Sequence, residues 1–152
     1  MPDDLNDPCL ECEIVAGRVR PPGGIVLRDD LFVVHGLAGP APVRGYLIVG
    51  SVRHARGLYD LSEREAAALG LLIARLQRIQ RRALGADHAY AYVLGDKLLH
   101  FHAHVVPRLA DTPEHLRGGR IFQATLPDAR PGAEIEAACR AIAEALGRGT
   151  TP

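Results

Sequence analysis

Residues 100–107 read His-Phe-His-Ala-His-Val-Val-Pro, and they constrain the chain more than any other stretch. Three histidines alternate with apolar residues. That is the period-2 pattern of a strand with one polar and one apolar face. Side chains two residues apart on such a strand project the same way, about 6.5–7 Å apart. The pattern therefore predicts a row of imidazoles from His100, His102 and His104, with Phe101, Ala103 and Val105 turned into a core. Three imidazoles on one face titrate near neutrality and repel one another when charged. A chemical task is the expected compensation.

Composition bounds the setting of that strand. The 152 residues suit one domain, with 47% apolar and 24% charged residues. Net charge is zero, which argues against wholesale binding of nucleic acid or of an acidic membrane. No apolar run reaches the 18 or so residues of a membrane span. Residues 1–8 are polar and acidic with two prolines, a loose N-terminus without the apolar core of a secretory signal. Three cysteines do not make a disulfide framework. A soluble, cytoplasmic protein is the expectation.

Along the chain, Cys9 and Cys12 form a C-x-x-C. Such a pair can share a tetrahedral metal or act as a redox couple. The redox reading needs a strand before the motif, and nothing before Cys9 reads as one. Zinc needs two further ligands, and His54 and His100 are candidates. Residues 25–28 and 31–35 are β-rich around Asp29-Asp30 and predict a hairpin. Residues 36–45 are a Gly/Pro loop, and 46–50 a buried strand. Ser62 and Glu65 form a capping box, Leu69, Leu72, Ile73, Leu76, Ile79 and Ala83 recur at helical spacing, and Gly85 suits the terminus. A long helix over 63–84 follows, with Arg75, Arg78, Arg81 and Arg82 on its solvated side. Residues 90–94 and 98–106 predict two strands joined by a turn too short for anything but antiparallel pairing, with Pro107 as the stop. Residues 108–131 read as irregular. Residues 134–146 predict a terminal amphipathic helix with Cys139 on its apolar face. The sum is an α+β fold of about five antiparallel strands with one long and one C-terminal helix.

The strand His100–Pro107 resembles the signature of the histidine-triad (HIT) family. The resemblance extends upstream. Residues 9–17, Cys-Leu-Glu-Cys-Glu-Ile-Val-Ala-Gly, are similar to the family's opening C-x-x-C segment; 44–49 to its G-H-x-L-V-I strand; and 52–61 to its K-R-H and L-x-D-L blocks. It covers about residues 9–108, a HIT core within a single HIT-like domain spanning 1–152, with 109–152 as a C-terminal extension. The resemblance implies a nucleotide or nucleotide-like phosphoester as partner. It implies His102 as a nucleophile attacking the α-phosphorus, and His104 as a hydrogen-bonding partner of phosphate or leaving group. His100 becomes a zinc ligand or an orienting residue. It further implies zinc held by Cys9, Cys12, His54 and His100 in a structural role, and a homodimer. A histidine at the last triad position, His104, favours hydrolases over phosphorylases.

The chain also departs from that family. The acid that usually holds the ribose is missing from Gly36-Leu37-Ala38-Gly39, and Tyr46 stands where the family has His. The phosphate loop with its Gln and Ser or Thr is replaced by Leu94-Gly95-Asp96-Lys97-Leu98. Lys97 can substitute a point charge there, and Arg44, Tyr46 and Lys97 are the candidate substrate-binding residues. Three functions are compatible with this pattern: a hydrolase of nucleoside phosphoramidates or dinucleoside polyphosphates, a nucleotidyl transferase to an acceptor other than water, and a non-catalytic zinc-stabilised binding protein.

Overall fold

The computed structural model describes residues 9–148. Five strands form one antiparallel sheet: β1 (Ile25–Arg28), β2 (Phe32–Gly36), β3 (Leu47–Ser51), β4 (His88–Val93) and β5 (His102–Arg108). Their spatial order is β1-β2-β3-β5-β4. Three α-helices accompany them: α1 (Leu10–Val15), α2 (Glu63–Leu84) and α3 (Gly132–Arg148). The α+β fold read from the pattern is the fold observed.

Strand alternation sorts the sheet into two faces. Phe32 and Val34 of β2, Leu47 and Val49 of β3, and Ala103 and Val105 of β5 share one buried cluster with Leu69, Leu72 and Leu76 of α2 and Ile135, Cys139 and Ile142 of α3. Burying each of the Phe, Val, Leu and Ile side chains among them contributes about 1.5–3 kcal/mol. The opposite face carries the residues in between. In register across it run His35, Ile48, His104 and Tyr92, and beside that row run Val33, Gly50 and His102. This second face holds a smaller cluster of Val43, Tyr46, Ile48, Val106, Leu109, Leu116 and Ile121.

The long helix behaves as its ends dictate. Ser62 Oγ accepts the Glu65 backbone N–H at 3.2 Å, and Glu65 Oε2 accepts the Ser62 N–H at 2.8 Å. Gly85 closes α2 in the left-handed region at φ 69°. Two positions depart from the apolar pattern: Ala83 is exposed, while Gln80 is fully buried. Gln80 earns its place by donating its amide to the carbonyls of Gly45 (2.9 Å) and Val105 (3.0 Å), which ties α2 to β5.

The structure corrects the sequence reading in several places. The triad strand starts at His102 rather than Leu98, because the chain bends at His100 and Phe101 pairs with the end of β3 and the segment beyond it: Phe101 N donates to Ala55 O at 2.6 Å, and Ser51 N to Phe101 O at 3.2 Å. Pro107 does not end the strand. The β3–β5 register runs only to Val105, so Pro107 sits in an edge-like position flanked by β4, where a missing N–H is tolerated. Cys9 and Cys12 lie at a helix, α1, capped by Cys9 itself. Residues 108–131 contain three 3-10 turns, Glu114–Leu116, Gly118–Gln123 and Leu126–Asp128. The loose segment expected over residues 1–8 lies outside the described residues.

Candidate functional site

The bend at His100 divides the histidines between two tasks. His100 is buried, and its Nε2 lies 2.7 Å from the Ser51 carbonyl oxygen. A carbonyl only accepts, so Nε2 carries the proton and Nδ1 carries a lone pair. That lone pair faces sulfur: Nδ1 is 3.3 Å from Cys9 Sγ and 3.4 Å from Cys12 Sγ. His54 Nδ1 is 3.2 Å from Cys12 Sγ. The four ligand atoms all lie within 4.8 Å of one another. A tetrahedral zinc with ligands at roughly 2.0–2.3 Å spaces them about 3.3–3.8 Å apart, so this donor set fits zinc. Burial and then the neighbouring Cys9 push the Cys12 thiol up to about 11. The segment before His54 is anchored separately. Arg53 Nη2 donates to Glu65 Oε2 at 2.8 Å, which holds that carboxyl down at about 2.

His102 and His104 remain on the strand and on one face. His102 Nδ1 lies 2.8 Å from the His100 carbonyl oxygen. By the same argument Nδ1 carries the proton, and Nε2 presents a lone pair. His104 is set the other way. Its Nδ1 lies 2.8 Å from the Tyr46 hydroxyl, whose residue is 4% exposed. Burial raises the Tyr46 phenol well above its ordinary range, so it keeps its proton. Burial, with the charge of His102 second, lowers His104 to about 4, so the imidazole is neutral at pH 7. The phenol O–H donates to Nδ1, and Nε2–H of His104 becomes a donor. The rings of His102 and His104 are 5.1 Å apart. One neighbour thus offers an electron pair, and the other a proton for hydrogen bonding.

The space around His102 is shaped by Gly50, its cross-strand partner. A Cβ at Gly50 would overlap the carboxylate of Glu11, which lies across it. Glu11 and His35 are both buried, with Glu11 Oε1 3.1 Å from His35 Nε2. His35 Nδ1 is 2.7 Å from the Gly36 carbonyl oxygen. This pair fastens α1, and with it the two cysteines, to the face of the sheet that carries the triad.

No protein-family model and no curated protein matches the chain. Solved structures do. A Zn-bound histidine triad family protein from Mycobacterium smegmatis is 24% identical, aligned over 90% of this chain and 96% of that one, with a TM-score of 0.64. A hypothetical histidine triad nucleotide-binding protein from Sulfolobus tokodaii is 18% identical over 92% and 93%, with a TM-score of 0.71. This chain has the histidine-triad fold. Plasmodium falciparum diadenosine triphosphate hydrolase, 13% identical over 84% of this chain and 78% of that one, is similar at a TM-score of 0.61.

Within the histidine-triad fold, seven of the residues singled out from the sequence come together: Cys9, Cys12, His54 and His100 in a group whose donor atoms fit a metal, and Tyr46, His102 and His104 beside it. Tyr46 touches His104 rather than open space. Arg44 turns to Asp111, 3.1 Å away, and lines a concavity of about 220 Å³ with Thr112 and Arg130. Lys97 stands exposed on the turn between β4 and β5. Neither of the two concavities beside Arg44 is lined by a triad histidine. The sequence reading passed over Glu11, His35 and Phe122. A glutamate inside the C-x-x-C and a histidine ending a β-rich run were visible signals for the first two. Phe122, in a stretch without periodicity, gave none.

Proposed function

We propose that the protein is a nucleotide hydrolase that cleaves a nucleoside phosphoramidate or a dinucleoside polyphosphate through a covalent nucleotidyl-histidine at His102. One observation carries this reading. The His102 Nδ1–H is committed to a backbone carbonyl at 2.8 Å, which leaves Nε2 as a fixed lone pair on the open face beside the neutral donor His104. The similarity to a diadenosine triphosphate hydrolase supports it.

In the first step His102 Nε2 attacks phosphorus. The bond from phosphorus to the leaving atom breaks, its electron pair stays on that atom, and solvent supplies the proton. His104 Nε2–H donates a hydrogen bond to the charge that develops there. In the second step water attacks phosphorus, the P–N bond breaks with its pair returning to Nε2, and the water's proton passes to solvent. Positioning and charge stabilisation are the main contributions such a site makes to phosphoryl transfer.

Zinc at Cys9, Cys12, His54 and His100 plays a structural part in this reading. It joins α1, the segment after β3 and the residue whose carbonyl orients His102. A homodimer formed along the β4 edge and α2 is part of the same proposal, and light scattering after gel filtration tests it. The test of the hydrolase reading is trapping of a nucleotidyl adduct in the parent protein beside His102→Ala.

A further inference from the structure

The aromatic residues of this chain are few, and Tyr46, Tyr90, Tyr92 and Phe122 gather in one place beside His104, while Tyr59 stands apart, exposed after Gly57. Of three phenylalanines, Phe32 and Phe101 are fully buried in the core. The third, Phe122, is 41% exposed and stands at the triad. Its ring meets His104 edge-on, with centroids 5.3 Å apart and planes at 87°. It meets Tyr92 at 5.0 Å and 81°. Tyr92 is the cross-strand partner of His104 on β4, and Tyr90 continues the ladder 5.9 Å from Tyr92. An aromatic wall therefore rises on the His104 side of His102.

The wall is built rather than incidental. Phe122 sits in the turn Gly118–Gln123, whose Ile121 is buried in the cluster that includes Tyr46 and Leu116. Local polar contacts brace the segment on both sides. Arg120 donates to Glu114 at 3.0 Å, Arg117 Nε to the Thr112 carbonyl at 3.2 Å, and Asp128 accepts from Thr125 and pairs with His115 at 2.8 Å. The segment is thereby held against the sheet while the Phe122 side chain stays partly exposed.

Position decides what the exposed part of Phe122 meets. An electrophilic phosphorus at His102 Nε2 carries its leaving atom toward the donor on His104. The group attached to the leaving atom then lies against Phe122 and Tyr92. A large apolar surface left open there gains by being covered, and rings favour edge-to-face or offset contacts with other rings. Against the family pattern, residues 36–39 carry no acid, and the turn 94–98 carries Asp96 and Lys97 in place of Gln and Ser or Thr. We infer that Phe122 and Tyr92 form a subsite for an aromatic leaving group, so that the substrate class is a phosphoryl centre bonded to an aryl-bearing amine or alcohol rather than to a polyphosphate. This rests on the reading of His102 as the attacking group.

The test needs no turnover. Binding of phenylphosphonate and methylphosphonate, which carry a phenyl and a methyl group on the same phosphonate and hold no hydrolysable ester or amide bond, is measured by calorimetry in the zinc-loaded parent, Phe122→Ala, Phe122→Leu and Phe122→Tyr proteins. The parent is expected to bind phenylphosphonate about tenfold more tightly. Phe122→Ala and Phe122→Leu are expected to bring the two ligands within about twofold, and Phe122→Tyr to keep the preference. Phe122→Leu fills the same space without a ring, so it answers even if the alanine variant does not fold. Equal binding in the parent, no binding of either ligand, or a preference that survives in Phe122→Leu overturns the inference. The adduct experiment at His102 judges the hydrolase reading separately.

Discussion

His102 and His104 stand two residues apart on one strand, yet their hydrogen bonds give them opposite protonation patterns. The first has its Nδ1–H on the His100 carbonyl, and the second has its Nδ1 under the Tyr46 hydroxyl. Long-range nitrogen–proton NMR of the side chains reads this directly. His102 is expected as the Nδ1–H form and His104 as the Nε2–H form. In Tyr46→Phe the donor to Nδ1 is gone, His104 should become a mixture of forms, and any turnover should drop about tenfold, the worth of one such hydrogen bond. An unchanged His104 spectrum in Tyr46→Phe would contradict the assignment. The same residue makes stability depend on pH. Burial depresses folded His104 from 6.5 to about 4, so between those values the unfolded chain binds the proton that the fold refuses. The contribution is fully present above about pH 6.5 and is lost as the pH falls toward 4. Melting temperature should therefore decline across that window in the parent, and decline less steeply in His104→Gln. Parallel slopes would show that His104 does not titrate as its burial requires.

At the scale of elements, the triad is held by contacts that tie distant pieces of chain together. Gly50 on β3 leaves room for the Glu11 carboxylate of α1, which reaches His35 on β2. Gly50→Ala should expel Glu11, cost about 2–4 kcal/mol by overpacking and by stranding a buried partner, and loosen the metal cluster. Gly39→Ala, where an added Cβ meets nothing within 4 Å, is the control expected to leave urea midpoint and zinc content unchanged. Similar losses in both variants would contradict the role given to Gly50. These contacts also show where a sequence is legible. The helix Glu63–Leu84 was readable at both ends, because Ser62, Glu65 and Gly85 act locally through caps. The strands and their antiparallel pairing were readable from alternation and from the short β4–β5 turn. The metal set and the two strand-borne histidines were readable through their spacing and the family resemblance. The departure of His100 from the ladder was not, because a hydrogen bond from Phe101 to the distant Ala55 causes it. The six-residue α1 was not, because its fixation comes from Glu11 and the cysteines rather than from periodicity. Gln80 broke the apolar pattern of its helix, and only the carbonyls of Gly45 and Val105 explain it.

At the scale of the whole molecule, the sheet turns one face to α2 and α3 and carries His102 and His104 on the other. That second face lies between the cysteine-bearing N-terminal helix and the braced segment that carries Phe122. No helix among the described residues is long and apolar enough to cross a membrane. Zinc at the N-terminal side should be present at one ion per chain by elemental analysis. Its removal by a chelator should lower the melting temperature by about 5–10 °C, reversibly on refilling, because the ion binds the folded state. A melting temperature indifferent to chelation would remove zinc from the account. The central claim is that His102 Nε2 forms a bond to phosphorus. The most direct measurement is intact mass spectrometry after rapid quenching of the protein with an adenosine phosphoramidate, with His102→Ala beside it. The account predicts a mass increase of one nucleotidyl group in the parent and none in the variant. An adduct of equal yield in His102→Ala would contradict it, and so would turnover that proceeds in the variant at the parent's rate.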